Sequence, residues 1–214
     1  MYYYVRFVST CLSAFLLFGS WAQAHPVAYQ GSTGIMSSFS KDMSDFEVNY
    51  SWRYWTATSA HIFRYTPGAD RPDVALVQEN FLLKRWNEEG FQANIYSLTG
   101  AGNSRLSGRS RAAYFAGAVV DIENRRLYFL THFTHLRNNV KQELNHAEIR
   151  AGFAPYLGNF NDLHTWMILE ASHQSVFDTK WRLTPFLRFF YQNVLWEIGS
   201  SLKGDIKLNT IIHI

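Results

Sequence analysis

Residues 46–54 alternate without a break: Phe46, Val48, Tyr50, Trp52 and Tyr54 are apolar or aromatic, and Glu47, Asn49, Ser51 and Arg53 between them are polar. Side chains of a strand point to opposite faces with period 2, so this segment is a strand with one apolar and one polar face. The pattern recurs, more loosely, down to the last residue, behind an export signal. A secreted chain of long two-faced strands with aromatic ends reads as a transmembrane β-barrel.

Residues 1–24 carry the marks of that signal. Arg6 supplies a short positive region, residues 7–19 are mostly apolar, and Ala22-Gln23-Ala24 is the small-x-small pattern cut by a signal peptidase. An uncleaved anchor is the alternative, but the apolar stretch is shorter than the roughly 20 residues a membrane helix needs. Cleavage after Ala24 makes His25 the first mature residue and residues 25–214 one barrel domain. Cys11 is the single cysteine and lies inside the signal. An exported chain without disulfides must be stable by another route. A closed barrel supplies one, because every backbone group is paired around the ring. The net charge is only +3, Arg6 contributing one of the positive charges, and Lys and Arg do not cluster, so no nucleic-acid partner is expected.

The fold class expected is all-β: a transmembrane antiparallel up-and-down β-barrel. Twelve strands are read, over residues 31–39, 46–55, 58–66, 74–85, 91–99, 110–122, 125–136, 143–156, 163–172, 180–191, 194–202 and 206–214. Several match the roughly 9–11 residues of a spanning strand rather than the shorter globular strand. Ten or fourteen strands also fit. Short connections near Thr56, at residues 86–90, at Glu123-Asn124, at 158–162 and at Gln192-Asn193 alternate with generally longer ones at 66–73, 100–108, 137–142 and 173–179. That alternation puts both termini in the periplasm. The short stretch Lys203-Gly204-Asp205 is an exception. Residues 100–111 (GAGNSRLSGRSR) read as a mobile external loop. The tryptophans Trp52, Trp55, Trp86, Trp166, Trp181 and Trp196 lie mostly near strand ends, where an interfacial girdle belongs. The soluble alternative is a secreted sandwich or lipocalin-like barrel, in which the apolar face points inward.

The start of the mature chain, His25-Pro26-Val27-Ala28-Tyr29-Gln30-Gly31 with Gly34-Ile35-Met36, resembles the opening of a family of uncharacterised small outer-membrane barrel proteins of Gram-negative bacteria. Lys84-Arg85-Trp86-Asn87 and the end, residues 208–214, are similar too. The resemblance implies an association with heavy-metal resistance and no defined activity. The last strand resembles the outer-membrane insertion signal but ends in Ile214 instead of Phe or Trp. The partners expected are the lipid bilayer, lipopolysaccharide and the outer-membrane insertion machinery.

The lumen is the first place to look for function. Glu47, Arg53, Arg64, Lys84, Glu148, Arg150, Glu170, Arg182, Arg188, Glu197 and Lys207 fall on the polar faces. Charges of both signs in a narrow lumen pair, because unpaired desolvated charge is costly. Such a network either plugs the barrel, as in small barrels, or lines a narrow, weakly selective pore for small solutes or ions. No cofactor is required. Copper or zinc would have candidate ligands in His132 and His146 on neighbouring strands, and in His25, whose amino group and imidazole could chelate together after cleavage. No tight metal-ligand spacing is present. A lipid-acting hydrolase would need a Ser–His pair, for which His173 with Ser175, or His164 with a nearby serine, can be offered, at a spacing that has no specificity.

Overall fold

The computed structural model describes residues 25–65, 72–140, 143–159, 161–175 and 181–214. The signal expected over residues 1–24, and parts of the loops expected over 66–73, 137–142 and 173–179, lie outside them. The described residues form twelve strands: β1 (Thr33–Ser40), β2 (Met43–Arg53), β3 (Thr56–Tyr65), β4 (Asp73–Glu88), β5 (Phe91–Leu106), β6 (Arg109–Glu123), β7 (Leu127–Asn138), β8 (Glu143–Phe153), β9 (His164–Gln174), β10 (Arg182–Tyr191), β11 (Val194–Ser200) and β12 (Ile206–His213). Each pairs antiparallel with its sequence neighbours, and β1 pairs with β12 to close the ring. Closure leaves no free edge strand, so ladder groups find partners in neighbouring strands instead of water.

The faces settle which solvent surrounds the barrel. In and just beyond β2, Trp52 is 59% and Tyr54 71% exposed, while Asn49 is 1% and Ser51 0% exposed. The apolar face therefore points out and the polar face in, the reverse of a lipocalin. Leu169, Leu187, Ile149, Ile198 and Phe133 continue the exposed apolar surface around the ring. Lipid solvates such an exterior and water does not. Trp52, Tyr54, Trp86, Phe153, Tyr191 and Trp196 ring the end where β1 starts and β12 finishes, here called the proximal end. Trp181 stands on the outside near the other, distal end. Trp166 departs from the girdle expected for it. It pairs with Arg188 in register on the inward-facing row of β9, and its ring meets Tyr128 at 6.4 Å.

Two irregularities reset the inward–outward phase. A bulge between Leu82 and Lys84 adds one residue to β4, so that Lys84 pairs with Ile95 and Arg85 with Asn94. An extra residue inverts the phase of everything beyond it. Lys84 therefore faces outward, its ammonium 5.6 Å from the Trp86 ring, and Arg85 faces the lumen in its place. A second irregularity between Ser51 and Arg53 ends β2. Arg53 is exposed at the turn with its guanidinium 5.5 Å from the Trp55 ring. Arg64 is also outside the lumen. The inward row of β3 is Ala57, Ser59, His61, Phe63 and Tyr65, which leaves Arg64 exposed at the distal end.

The loop expected at residues 100–111 is instead a hairpin. β5 runs to Leu106 and β6 starts at Arg109, joined by Ser107 (φ 50) and Gly108 (φ 77). Two successive left-handed residues make the tight turn whose twist matches antiparallel strands. β1 and β2 are likewise joined by Lys41 and Asp42 alone, whereas residues 154–163 separate β8 from β9 at the proximal end. Connection length therefore distinguishes the two ends less sharply than the sequence suggests.

The interior has two unlike walls. On β3–β7 the inward rows hold an apolar cluster that includes Val74, Leu76, Tyr96, Leu98, Phe115, Val119 and Leu136. On β8–β12 they hold charge.

Candidate functional site

Alternation along β8–β12 delivers the charges to one wall. Glu148 and Arg150 come from β8, Glu170 from β9, Arg188 from β10, Glu197 from β11 and Lys207 from β12. Arg150 Nη2 donates to Glu197 Oε2 at 2.7 Å, and Arg188 Nε to Glu197 Oε1 at 2.6 Å. Lys207 Nζ donates to Glu170 Oε1 at 2.8 Å. Arg150 Nε also lies 3.6 Å from Glu170 and 3.7 Å from Glu148. Asn209 Nδ2 donates to Glu197 Oε2 at 2.7 Å. Three cations thus face three carboxylates, and Glu170 and Glu197 are only 1% and 3% exposed. Burial of Glu170 and Glu197 is tolerated because each meets an opposite charge through a short hydrogen bond. Aromatic faces complete the wall: Arg188 lies 4.4 Å from the Tyr128 ring, and Arg150 5.0 Å from the Phe186 ring. Phe186 has room because Gly199 stands opposite it, where an added Cβ would come within 2.6 Å of the ring.

Facing this wall, His61 on β3 is held by two strands. Its Nε2 lies 2.6 Å from Asp45 Oδ1 and its Nδ1 3.2 Å from Gln78 Oε1. At the distal mouth the β1–β2 turn leans across the opening. Asp42 accepts from Arg182 Nη1 at 2.6 Å, and Lys41 Nζ lies 3.3 Å from Asp205. Between these layers lies a cavity of about 340 Å³, lined by residues from both walls and reaching Pro26 at its proximal floor.

That floor is the segment ahead of β1. Val27 is fully buried in the apolar cluster. Asn80 Nδ2 donates to the Pro26 carbonyl at 3.4 Å, and the Ala28 N–H donates to Ser51 Oγ at 3.1 Å. His25 sits between the carboxylates of β6: Nδ1 is 3.3 Å from Asp121 and Nε2 3.5 Å from Glu123. Its ring stacks on Tyr96, whose hydroxyl accepts from Arg85 at 3.2 Å. Burial alone would lower the His25 pKa, but the two carboxylates outweigh it and raise it to about 9. A raised value means that the stabilisation is fully present below the ordinary value of about 6.5 and is lost as pH rises through about 9. The unfolding midpoints of the wild type and His25→Ala should therefore differ at pH 7 and converge near pH 10.

Of the charges expected in the lumen, Glu47, Glu148, Arg150, Glu170, Arg182, Arg188, Glu197 and Lys207 line it or its mouth, and Arg53, Arg64 and Lys84 do not. Asp45, Asp121, Glu123 and Arg85 are additional. Counting alternate residues back along β6 would have found Asp121 and Glu123; nothing local to β4 marks the bulge that turns Arg85 inward. His132 and His146 are neighbours, their rings 5.8 Å apart, while the nitrogens of His25 lie beside Asp121 and Glu123 at 3.3 and 3.5 Å. Among the described residues no group of three His, Cys, Asp or Glu side chains is arranged to hold a metal ion. The Ser–His pairings are not assembled. His173 packs on Trp181 at 5.8 Å, Ser175 Oγ accepts from the Asn145 N–H at 2.8 Å, and the His164 ring lies 3.0 Å from the Asn159 carbonyl.

No protein-family model matches the chain. No curated protein sequence matches it. Among solved structures it is similar to the KdgM porin in complex with disordered oligogalacturonate, at 10% identity and a TM-score of 0.48, over 85% of this chain and 97% of that one. It is also similar to the KdgM porin at 10% identity and a TM-score of 0.45, with the same coverage. A BenF-like porin from Pseudomonas fluorescens Pf-5 is 8% identical over 84% of this chain and 58% of that one, with a TM-score of 0.43. Likeness at this level transfers no solute and no residue role.

Proposed function

We propose that this chain is an outer-membrane pore through which small polar solutes or ions pass passively. The observation that carries the reading is the cavity of about 340 Å³, which runs inward from the Asp42–Arg182 bridge between the apolar wall that carries His61 and the salt-bridged wall. Six neutralising charges in the wall favour weak ion selectivity over a strong preference for one sign. The lipid-facing exterior, the even strand number and the aromatic belt support an outer-membrane setting. A role in metal tolerance finds no support in the arrangement of the histidines, and none is proposed.

Conductance in planar bilayers tests the reading. The wild-type chain should give stepwise openings. Asp42→Ala should widen the distal mouth and increase the step size, because Asp42 and Arg182 bridge the opening. Silence from both proteins, with the folded barrel intact on unboiled SDS gels, would favour the second reading. In that reading the Arg150–Glu197–Arg188 cluster and the segment at the proximal floor make a plugged, non-catalytic barrel whose distal surface makes contacts.

A further inference from the structure

The segment ahead of β1 belongs to no strand, yet it is held from four directions. Val27 is buried among side chains of β3–β7, Pro26 is bonded by Asn80 of β4, Ala28 by Ser51 of β2, and His25 is flanked by Asp121 and Glu123 of β6. The segment therefore spans the proximal mouth from the β2 side to the β6 side. It joins β1 through an exposed turn, in which the Ser32 N–H and hydroxyl both bond the Tyr29 carbonyl and Gly31 adopts φ +84. That turn is anchored on β2, where the Gly31 N–H donates to the Ser51 carbonyl at 2.7 Å and the Ser51 N–H donates to the Ser32 carbonyl at 3.0 Å. The segment is thus tethered at this turn and held across the mouth beyond it by the buried Val27, two hydrogen bonds and the ionic contact of His25.

The ionic contact is the weak point. The His25 nitrogens stand 3.3 and 3.5 Å from Asp121 and Glu123, longer than the roughly 2.7–2.9 Å of strong charge-assisted hydrogen bonds. Neither Asp121 Oδ2 nor Glu123 Oε1 makes a hydrogen bond among the described residues. By contrast, the Arg150–Glu197 and Arg188–Glu197 contacts across the permanent wall are 2.7 and 2.6 Å. The barrel thus pairs a tight network in its wall with a loose one on its floor.

We propose that residues 25–29 form a strap that closes the proximal mouth, latched by His25 on Asp121 and Glu123, and that breaking the latch opens the lumen from end to end. The proposal rests on the pore reading for its consequence, but the movement of the strap is testable without it. Val27 is fully buried, and valine and cysteine are close in size. With Cys11→Ser in place, Val27→Cys carries the single thiol of the chain whether or not the signal is removed.

The full chain, folded in lipid vesicles, would be treated with a membrane-impermeant maleimide and its labelling rate measured. Conductance would be recorded on the same proteins. Val27→Cys alone should label slowly. Adding His25→Ala, or the nearly isosteric pair Asp121→Asn and Glu123→Gln, should speed labelling at least tenfold and raise the open fraction of the conductance trace. Labelling that stays slow in both latch variants, with the folded band retained on unboiled gels, overturns the strap. Fast labelling of Val27→Cys with the latch intact also overturns it, because the segment would not be held closed. Faster labelling in the latch variants with no conductance in any of the proteins upholds the strap and refutes the pore.

Discussion

Replacing Glu197 with alanine will destabilise the barrel by about 3–5 kcal/mol, the range for removing one partner from a buried ion pair. Glu197 is the shared carboxylate of the charged wall. Arg150, Arg188 and Asn209 all donate to it within 2.7 Å. Without it Arg150 keeps the longer contacts to Glu170 and Glu148, while Arg188 is left with the Tyr128 ring face. The cost arises because a buried guanidinium loses its counter-charge and gains no water to replace it. Glu197→Gln should cost less, since its carbonyl oxygen still accepts from Asn209. The temperature at which the folded band disappears from unboiled SDS gels reads the difference. Arg182→Ala, at the half-exposed mouth, should move that temperature little. If Glu197→Ala melts with the wild type, water already enters the wall and the network does not hold it together.

The second large effect is expected on the opposite face. Leu169 lies in the middle of β9, pairs with Ala151 and Pro185, and is 53% exposed. On a soluble protein, replacing an exposed leucine with arginine changes stability by no more than about 0.5 kcal/mol. In a bilayer the same change at the midplane costs about 2–4 kcal/mol. Leu169→Arg should therefore shift the unfolding equilibrium in lipid vesicles by the larger amount. A shift within the smaller range would mean that lipid does not contact this face. Arg64 shows where the exterior tolerates such a charge, at the distal end of β3.

Both predictions depend on knowing which way each side chain points, and for most strands the alternation of residue types reveals it. Phe46 to Tyr54 announces its phase on reading. So do Glu148 and Arg150, between Ala147, Ile149 and Ala151 on β8. Phase becomes illegible where a residue is inserted or the inward face is itself apolar. The Leu82–Lys84 bulge moved Lys84 out and Arg85 in, and no composition around it differs from an ordinary strand. Along β4–β6 the inward row includes Val74, Leu76, Leu98, Phe115 and Val119, as apolar as the lipid side, so charge could not mark the lumen there. The hairpin at Ser107 and Gly108 was hidden for a related reason: glycines and serines that suggest a loop also suit long strands whose backbones approach closely.

The sequence by itself determined the order of the two-faced strands and most of the turns between them. Each of these follows from a local rule of period 2 repeated along the chain, with a turn signal between repeats. Only the tertiary structure decided which charges meet, that one wall of the lumen is apolar, and that residues 25–29 lie across its floor. Those contacts join residues far apart in sequence. Asp42 and Arg182 are 140 positions apart, and Pro26 and Asn80 are 54 apart. Closing the ring brings such residues together, and no local pattern in the sequence records which of them will face each other across the lumen.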